Sequence, residues 1–297
     1  MRRDKAGLLI KAAREDVSMT QSALARAAGI HQPTLAAYES GRRIPRPDTL
    51  QRILVAARAR PSVVLELMAD EVIHSAMNHG LANVRVFGSA VRGEDTERSD
   101  IDLLVSAGHA VSLFDLGAFA AEVQELTGFA TDVLTEEQTR NPHFAHVLDE
   151  SRAVMNDAPE PREERFVHRP WKQVAGDSSP EAIDRDPAII AELRSLLAVC
   201  EEIASLGRES FLRSQSELTY FAAEAVIIHF NELVTHRLRA HVEMQHPDFP
   251  WRGIAGTRNI LAHNYTRANR SVVWGAISEE LPGLLRALLT SLERPGL

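Results

Sequence analysis

The strongest constraint in this chain is a pattern of small and acidic residues. Gly88 and Ser89 follow the apolar stretch ValArgValPhe, and after ten more residues Asp100 and Asp102 flank Ile101 at the start of IleAspLeuLeuVal. Side chains alternate between the two faces of a strand, so the two aspartates share a face. Two adjacent carboxylates repel each other unless a cation lies between them, and hard oxygen ligands favour magnesium. The pattern therefore predicts a magnesium site on a strand.

The residues around this acidic pair also suit a triphosphate. Gly88 allows close approach of the backbone, and Ser89 offers an amide and a hydroxyl at a helix N-terminus. Arg92 would neutralise the leaving pyrophosphate; the alternative is a solvated surface arginine. The array resembles the minimal nucleotidyltransferases of the polymerase-β-like superfamily over about residues 64–155. That resemblance implies ATP and Mg²⁺ as cofactors, and it implies Asp132 as a third metal ligand and as the base for the attacking hydroxyl.

The first 60 residues carry a different signal, an excess of positive charge. They hold 12 Lys and Arg against 5 Asp and Glu, although the whole chain has a net charge of −8. Such a segment is typical of a polyanion-binding unit. Thr20 is suited to cap a helix, Gly29 to end it and Pro33 to lie in the first turn of the next helix. Residues 19–50 resemble the Xre-like helix-turn-helix family, which implies operator DNA as a partner.

The helix-turn-helix resemblance assigns DNA contacts to the second helix and the loop after it. Gln32 is the best candidate for a base contact, because a carboxamide can bind adenine through two hydrogen bonds. Arg42 and Arg43 would meet phosphates, or they form a solvated basic loop. A protein-binding helical module is the alternative for the whole motif, and the local charge disfavours it. The candidate DNA-binding residues are Gln21, His31, Gln32, Thr34, Arg42 and Arg43.

The C-terminal third contains ArgAsnIleLeuAlaHisAsnTyr at positions 258–265. A histidine can move the proton of a 2′-hydroxyl, and an arginine can stabilise charge on a phosphate. The element resembles the Arg-x4-His motif of the HEPN ribonucleases, over about residues 187–294. The resemblance implies a four-helix bundle and metal-independent cleavage of an RNA substrate by Arg258 and His263. Asn259 can assist the arginine in stabilising phosphate charge, so it is the candidate RNA contact. The resemblance also implies that Tyr265 is the tyrosine modified by a nucleotidyltransferase.

Helical geometry restricts how this motif can assemble. At about 100° per residue, Tyr265 falls roughly 20° from Arg258 around the helix axis, whereas His263 falls roughly 140° away. One straight helix therefore does not gather all three side chains. The site needs a helix end near Asn264 or contributions from two subunits. HEPN proteins typically dimerise, which implies a homodimer or a higher homo-oligomer.

The chain of 297 residues is long enough for two or three domains. We expect a multidomain α and α/β protein in which a helix covers 64–79 and Ser112 and Asp115 form a capping box. No apolar run approaches the roughly 20 residues that span a bilayer, and the chain has a single cysteine, Cys200. A cytoplasmic protein without a membrane partner is expected. The expected domains are a helix-turn-helix over 1–61, a nucleotidyltransferase over 62–156, a linker over 157–186 and a HEPN bundle over 187–297.

Together the three resemblances predict a toxin–antitoxin fusion. Its nucleotidyltransferase would attach AMP to Tyr265 and silence a latent endoribonuclease, and its helix-turn-helix would repress its own promoter. Two other functions remain open at this point. One is a small-molecule nucleotidyltransferase of the aminoglycoside-resistance kind, and the other is a transcription regulator whose enzyme-like domains only sense nucleotide.

Overall fold

The computed structural model is mostly helical and contains one small mixed sheet. It divides into two compact units, one formed by residues 1–108 and 119–164 and the other by residues 109–118 and 165–297. The expected linker lies outside the described residues. No helix among the described residues is long and apolar enough to cross a membrane. The structure describes residues 5–108, 111–140, 144–154, 187–213, 217–239, 246, 249–262 and 270–293.

Local sequence signals set the ends of the N-terminal helices. The Thr20 hydroxyl accepts a hydrogen bond from the Ala23 amide at 3.1 Å, and Gly29 has a φ of +66° after the helix. Pro33 lies in the first turn of the next helix. These three predictions are confirmed. The helices of this region are α1 (Ala6–Asp16), α2 (Gln21–Ala27), α3 (Gln32–Glu39), α4 (Pro47–Ala56) and α5 (Pro61–Leu67).

A small apolar core holds these helices together. Leu24 and Leu35, at the centre of α2 and α3, are fully buried. From α1, Leu9 and Ile10 are buried with them, so α1 supports the helix-turn-helix. Burial of side chains of this size stabilises a fold by about 1.5–3 kcal/mol each, so this small core can hold several short helices together.

The sheet forms the centre of the first unit. Strand β1 is antiparallel to β2 and to β4, whereas β2 and β3 are parallel and are joined through a crossover helix, α8. The order across the sheet is β3-β2-β1-β4. The strands are β1 (Leu81–Phe87), β2 (Ile101–Ala107), β3 (Thr131–Thr135) and β4 (Arg152–Ala153), and the helices are α6 (Ala69–Asn78), α7 (Ser89–Arg92), α8 (Leu113–Thr127) and α9 (Ala145–Glu150), with a 3-10 turn at Gln138–Arg140.

Two helix predictions in this region have different outcomes. The capping box of α8 is confirmed, because the Ser112 amide donates to Asp115 Oδ2 at 2.9 Å and the Asp115 amide donates to Ser112 Oγ at 3.1 Å. The single helix expected over 64–79 is wrong. Met68 has a ψ of +10° and separates α5 from α6. Apolar periodicity continues through this break, so it does not reveal the break.

Among the C-terminal helices, α10 (Pro187–Ser205) packs against α12 (Glu217–Leu233) and α15 (Leu281–Glu293). Helix α12 also packs against α13 (Trp251–Ala262). Asn231 of α12 donates hydrogen bonds to the carbonyl of Ile254 and to Thr257 Oγ1, and these bonds tie α12 to α13. A π-helical segment follows α12, and another joins α14 (Arg270–Gly275) to α15. The helices are α10 (Pro187–Ser205), α11 (Arg208–Arg213), α12 (Glu217–Leu233), α13 (Trp251–Ala262), α14 (Arg270–Gly275) and α15 (Leu281–Glu293), with π-turns at Val234–Leu238 and Ala276–Glu280.

Candidate functional site

Three carboxylates converge at one end of the parallel pair β2 and β3. Asp102 lies directly opposite Asp132 in the strand register, and Asp100 immediately precedes β2. One carboxylate oxygen from each of the three aspartates lies within 4.8 Å of the others. Asp132 is buried, whereas the other two are half-buried. A set of oxygen donors this close together fits a hard divalent cation such as Mg²⁺, which these three residues would hold.

The turn after β1 brings the backbone against this cluster. Phe87 pairs with Asp102 across β1 and β2, so the next residue, Gly88, lies beside the carboxylates. Gly88 has a φ of +71°, and a Cβ atom at this position would collide with Asp102 Oδ2. Only glycine satisfies both the backbone angle and the close approach. Ser89 then begins α7, a single helical turn of four residues.

Arg92 lies at the end of α7, and its guanidinium group contacts two carboxylates. The distances are 2.8 Å from Nε to Glu94 Oε2 and 2.5 Å from Nη1 to Glu150 Oε1. The hydrogen bond to Glu94, followed by that to Glu150, raises the pKa of Arg92 above its usual value. Glu150 is 58 residues away in sequence, so no local signal predicts this pair. The predicted contact of Arg92 with pyrophosphate requires a phosphate to replace these carboxylates.

The start of α3 presents the predicted DNA-reading residues. His31 is exposed, and Gln32 and Thr34 are half-buried. Gln32 Nε2 donates to Gln21 Oε1 at 2.9 Å, and Gln21 Nε2 donates to Glu39 Oε2, also at 2.9 Å. The structure therefore brings two predicted glutamines into one hydrogen-bonded row. These hydrogen bonds fix the orientation of the Gln32 carboxamide in the absence of DNA.

Arg14 anchors the far end of this row. Its guanidinium group donates from Nε to Glu39 Oε1 at 2.7 Å and from Nη2 to Glu39 Oε2 at 3.1 Å. Burial opposes ionisation of Glu39, but the hydrogen bonds from Arg14 and Gln21 outweigh it and lower the pKa of Glu39. Sequence reasoning missed Arg14 and Glu39, because they are 25 residues apart and follow no recognisable spacing. Arg42 and Arg43 follow α3 and are exposed.

The predicted ribonuclease residues are only partly covered by the structure. Arg258 and Asn259 lie on α13, the helix that Asn231 and Thr257 fix to α12. His263 and Tyr265 lie outside the described residues. The assembly of this motif therefore stays a prediction.

Three families match the chain in succession. Residues 10–58 match a helix-turn-helix family, residues 74–158 a nucleotidyltransferase domain and residues 191–290 a family described as ribonuclease HepT-like. This order confirms the predicted series of folds, from helix-turn-helix through nucleotidyltransferase to helical ribonuclease domain.

Proteins of Methanocaldococcus jannaschii named as candidate protein adenylyltransferases are similar to part of the chain. One is 42% identical over 65 residues, which is 22% of this chain and 70% of the relative. A second is 31% identical over 89 residues, 30% of this chain and 91% of the relative. A third is 31% identical over 68 residues, 23% of this chain and 69% of the relative. The chain belongs to the nucleotidyltransferase family. No solved structure matches it significantly.

The nucleotidyltransferase site depends on the close approach of Gly88 to Asp102. We predict that Gly88→Ala lowers magnesium-dependent nucleotidyl transfer by at least about 100-fold, since a displacement of about 1 Å in a reacting group can have that effect. The measurement is transfer of label from ATP carrying a radioactive α-phosphate. Gly93→Ala is the matched control, because Gly93 also has a φ of +71° but open space around a Cβ. Equal losses in both variants would contradict this role of Gly88.

The helix-turn-helix gives a second prediction. Gln32→Ala should relax sequence preference, because it removes the carboxamide that the glutamine row orients, while Arg43→Ala should weaken binding to all duplexes alike. For Arg43→Ala, the slope of log affinity against log salt should fall in magnitude by about 1. Binding of the full chain to a randomised duplex pool at several salt concentrations measures both effects. If neither substitution changes DNA binding, the motif has another role.

Proposed function

We propose that this chain is a toxin–antitoxin fusion that silences itself by adenylylation. Its nucleotidyltransferase domain transfers AMP from ATP to Tyr265, and this modification blocks a metal-independent endoribonuclease in the C-terminal domain. Its helix-turn-helix binds operator DNA near its own gene and represses transcription. The observation that carries the proposal is the convergence of Asp100, Asp102 and Asp132 in a chain that also matches HepT-like ribonucleases.

The transfer step conserves atoms and charge. The Tyr265 hydroxyl oxygen forms a bond to the α-phosphorus of ATP while the bond from that phosphorus to the oxygen shared with the β-phosphate breaks. Pyrophosphate leaves, and Asp132 accepts the proton of the hydroxyl. Bound magnesium would neutralise phosphate charge in this site.

Each residue of the site has a separate task in this reaction. Asp100, Asp102 and Asp132 would hold the cation. Gly88 lets the polyphosphate approach the strand end, since it has no side chain to block it. Ser89 binds phosphate oxygens through its amide and hydroxyl. Arg92 exchanges its carboxylate partners, Glu94 and Glu150, for the leaving pyrophosphate.

The ribonuclease step needs no metal. His263 takes the proton of the RNA 2′-hydroxyl, whose oxygen attacks the adjacent phosphorus as the bond to the 5′-oxygen breaks. The protonated imidazole gives this proton to the leaving 5′-oxygen, so that a 2′,3′-cyclic phosphate and a 5′-hydroxyl form. Arg258 stabilises the negative charge on the phosphate, and Asn259 binds the RNA. A pair of subunits supplies the residues that one helix cannot gather.

Adenylylation opposes this step through charge and size. An AMP group on Tyr265 places a negative phosphate and a bulky base in a site that must accept anionic RNA. Fusion of both domains in one chain keeps them in a fixed ratio and raises their effective concentration. The names of the archaeal relatives support protein as the acceptor of AMP.

The local charge supports the DNA-binding role. The first 60 residues have 12 basic against 5 acidic side chains, while the chain as a whole is acidic. Affinity for DNA should then depend steeply on salt, because each arginine that meets a phosphate releases counterions.

Substitution of the target tyrosine separates this proposal from its alternatives. We predict that Tyr265→Phe makes the full-length protein toxic on expression, because phenylalanine keeps the ring but cannot accept AMP. Adding His263→Ala or Arg258→Ala should remove the toxicity, since each deletes part of the ribonuclease site. Growth curves and the integrity of total RNA in the expressing cells measure these effects.

A matched control is Tyr38→Phe, which makes the same change in the helix-turn-helix and should leave the protein harmless. A harmless Tyr265→Phe protein that also lacks ribonuclease activity after purification would defeat the proposal. That outcome would favour a small-molecule nucleotidyltransferase or a nucleotide-sensing regulator.

A further inference from the structure

A buried carboxylate lies inside the loop of the nucleotidyltransferase motif. Asp95 belongs to the stretch between Gly93 and Asp100, which joins the turn that carries Ser89 to the acidic cluster. Its side chain is 0% exposed. A carboxylate in this position requires hydrogen-bonding or charged partners. Both of its partners come from the junction with the helix-turn-helix.

The first partner is the start of helix α5. Asp95 Oδ2 accepts a hydrogen bond from the Ser62 amide at 2.8 Å, in the first turn of this helix. Amides in a first turn have no partner within the helix, and a negative charge there is favourable. Asp95 therefore fixes the N-terminus of α5 to the loop of residues 93–100, which joins α7 to β2.

The second partner is Arg60, which bridges two carboxylates. Its Nη1 atom lies 3.3 Å from Asp95 Oδ1. The same guanidinium group donates to both carboxylate oxygens of Asp16, from Nε at 2.8 Å and from Nη2 at 2.5 Å. These hydrogen bonds lower the pKa of Asp16 and raise that of Arg60. Bidentate contacts of this kind fix geometry as well as adding energy.

Asp16 is the last residue of α1, and this helix leads directly to the DNA-reading surface. Arg14, two residues earlier, holds Glu39, which begins the hydrogen-bonded row to Gln32. At the other end of α1, Lys5 Nζ donates to the Leu67 carbonyl at 2.9 Å, so α1 contacts both ends of α5. A series of polar contacts, linked through α1, therefore connects the loop at residues 93–100 to helix α3. All of these residues lie in the first unit.

We propose that nucleotide occupancy of the acidic cluster and the conformation of the DNA-reading helices are coupled through Asp95 and Arg60. This inference rests on the proposed nucleotidyl transfer and adds its regulation. A nucleotide that reorders residues 93–100 moves Asp95, and Arg60 and α1 must follow or leave a buried charge without its partner. By linkage, DNA that favours one arrangement of α1 changes nucleotide affinity by the same factor. The domain would thereby report its nucleotide state to the promoter.

Hydrogen–deuterium exchange of the full chain tests the coupling. The probe is magnesium with an ATP analogue whose α,β-bridge is a methylene group, so that no AMP is transferred. We expect the analogue to change the exchange rates of amides in α1 and α5 by at least about 5-fold, the lower end of common coupling strengths. Calorimetry under the same conditions measures binding of the analogue itself.

Two variants locate the effect. In Asp95→Asn and in Arg60→Gln, calorimetry should still detect binding of the analogue, while the change that the analogue causes in the exchange rates of α1 amides falls below about 2-fold, well under common coupling strengths. Arg60→Gln leaves the Asp95 carboxylate on α5, so it provides a test if Asp95→Asn fails to fold. The matched controls are Asp48→Asn and Arg52→Gln, which change exposed side chains of α4 and should keep the wild-type response.

The outcomes separate the coupling from the function on which it rests. If the analogue binds but the amides of α1 and α5 exchange at unchanged rates, the proposed coupling is wrong, while the proposed nucleotide binding is retained. If both variants keep the full response in α1, a different route carries it and the assignment to Asp95 and Arg60 is overturned. If the analogue does not bind the wild-type chain, the proposed nucleotidyl transfer fails, and the coupling fails with it.

Discussion

The electrostatic repulsion among Asp100, Asp102 and Asp132 is the constraint on which the central domain depends. At 4 Å and an effective dielectric constant of about 20, two carboxylates repel each other by about 4 kcal/mol. The parallel register of β2 and β3 holds Asp102 opposite Asp132 despite this repulsion. A sheet that brings carboxylate oxygens of three aspartates within 4.8 Å of one another fits a cation. The same arrangement requires glycine at position 88, because any side chain there would displace Asp102.

Features set by neighbouring residues could be predicted from the sequence. The Thr20 cap, the turn at Gly29 and the capping box of α8 each depend on residues within a few positions. Strand alternation also predicts that Asp100 and Asp102 lie close together, although only Asp102 belongs to β2 and Asp100 immediately precedes it. The break at Met68 could not be predicted, since the apolar pattern continues through it. Placement of Asp132 beside the pair required the resemblance to a known family, as strand order is not a local property.

Contacts between distant residues could not be predicted, and they carry much of the chemistry. Glu39 fixes the glutamine row only because Arg14, 25 residues earlier, holds it. Asp95 meets Arg60 across 35 residues. Ion pairs of this kind leave no periodic trace in the sequence, because each residue alone looks like ordinary surface charge. They nevertheless connect the acidic cluster to the start of α3, the two surfaces for which we propose nucleotide and DNA binding.

Intact mass spectrometry shows whether the chain attaches AMP to its own Tyr265. The purified chain is incubated with magnesium and ATP, beside Asp102→Asn and the exposed control Asp149→Asn. We expect the mass of the wild type and of Asp149→Asn to increase by that of one AMP group, which peptide mapping locates at Tyr265, and the mass of Asp102→Asn to stay unchanged. An unmodified wild-type chain, or AMP located at another residue while Tyr265 stays unmodified, would contradict the proposed attachment of AMP to Tyr265.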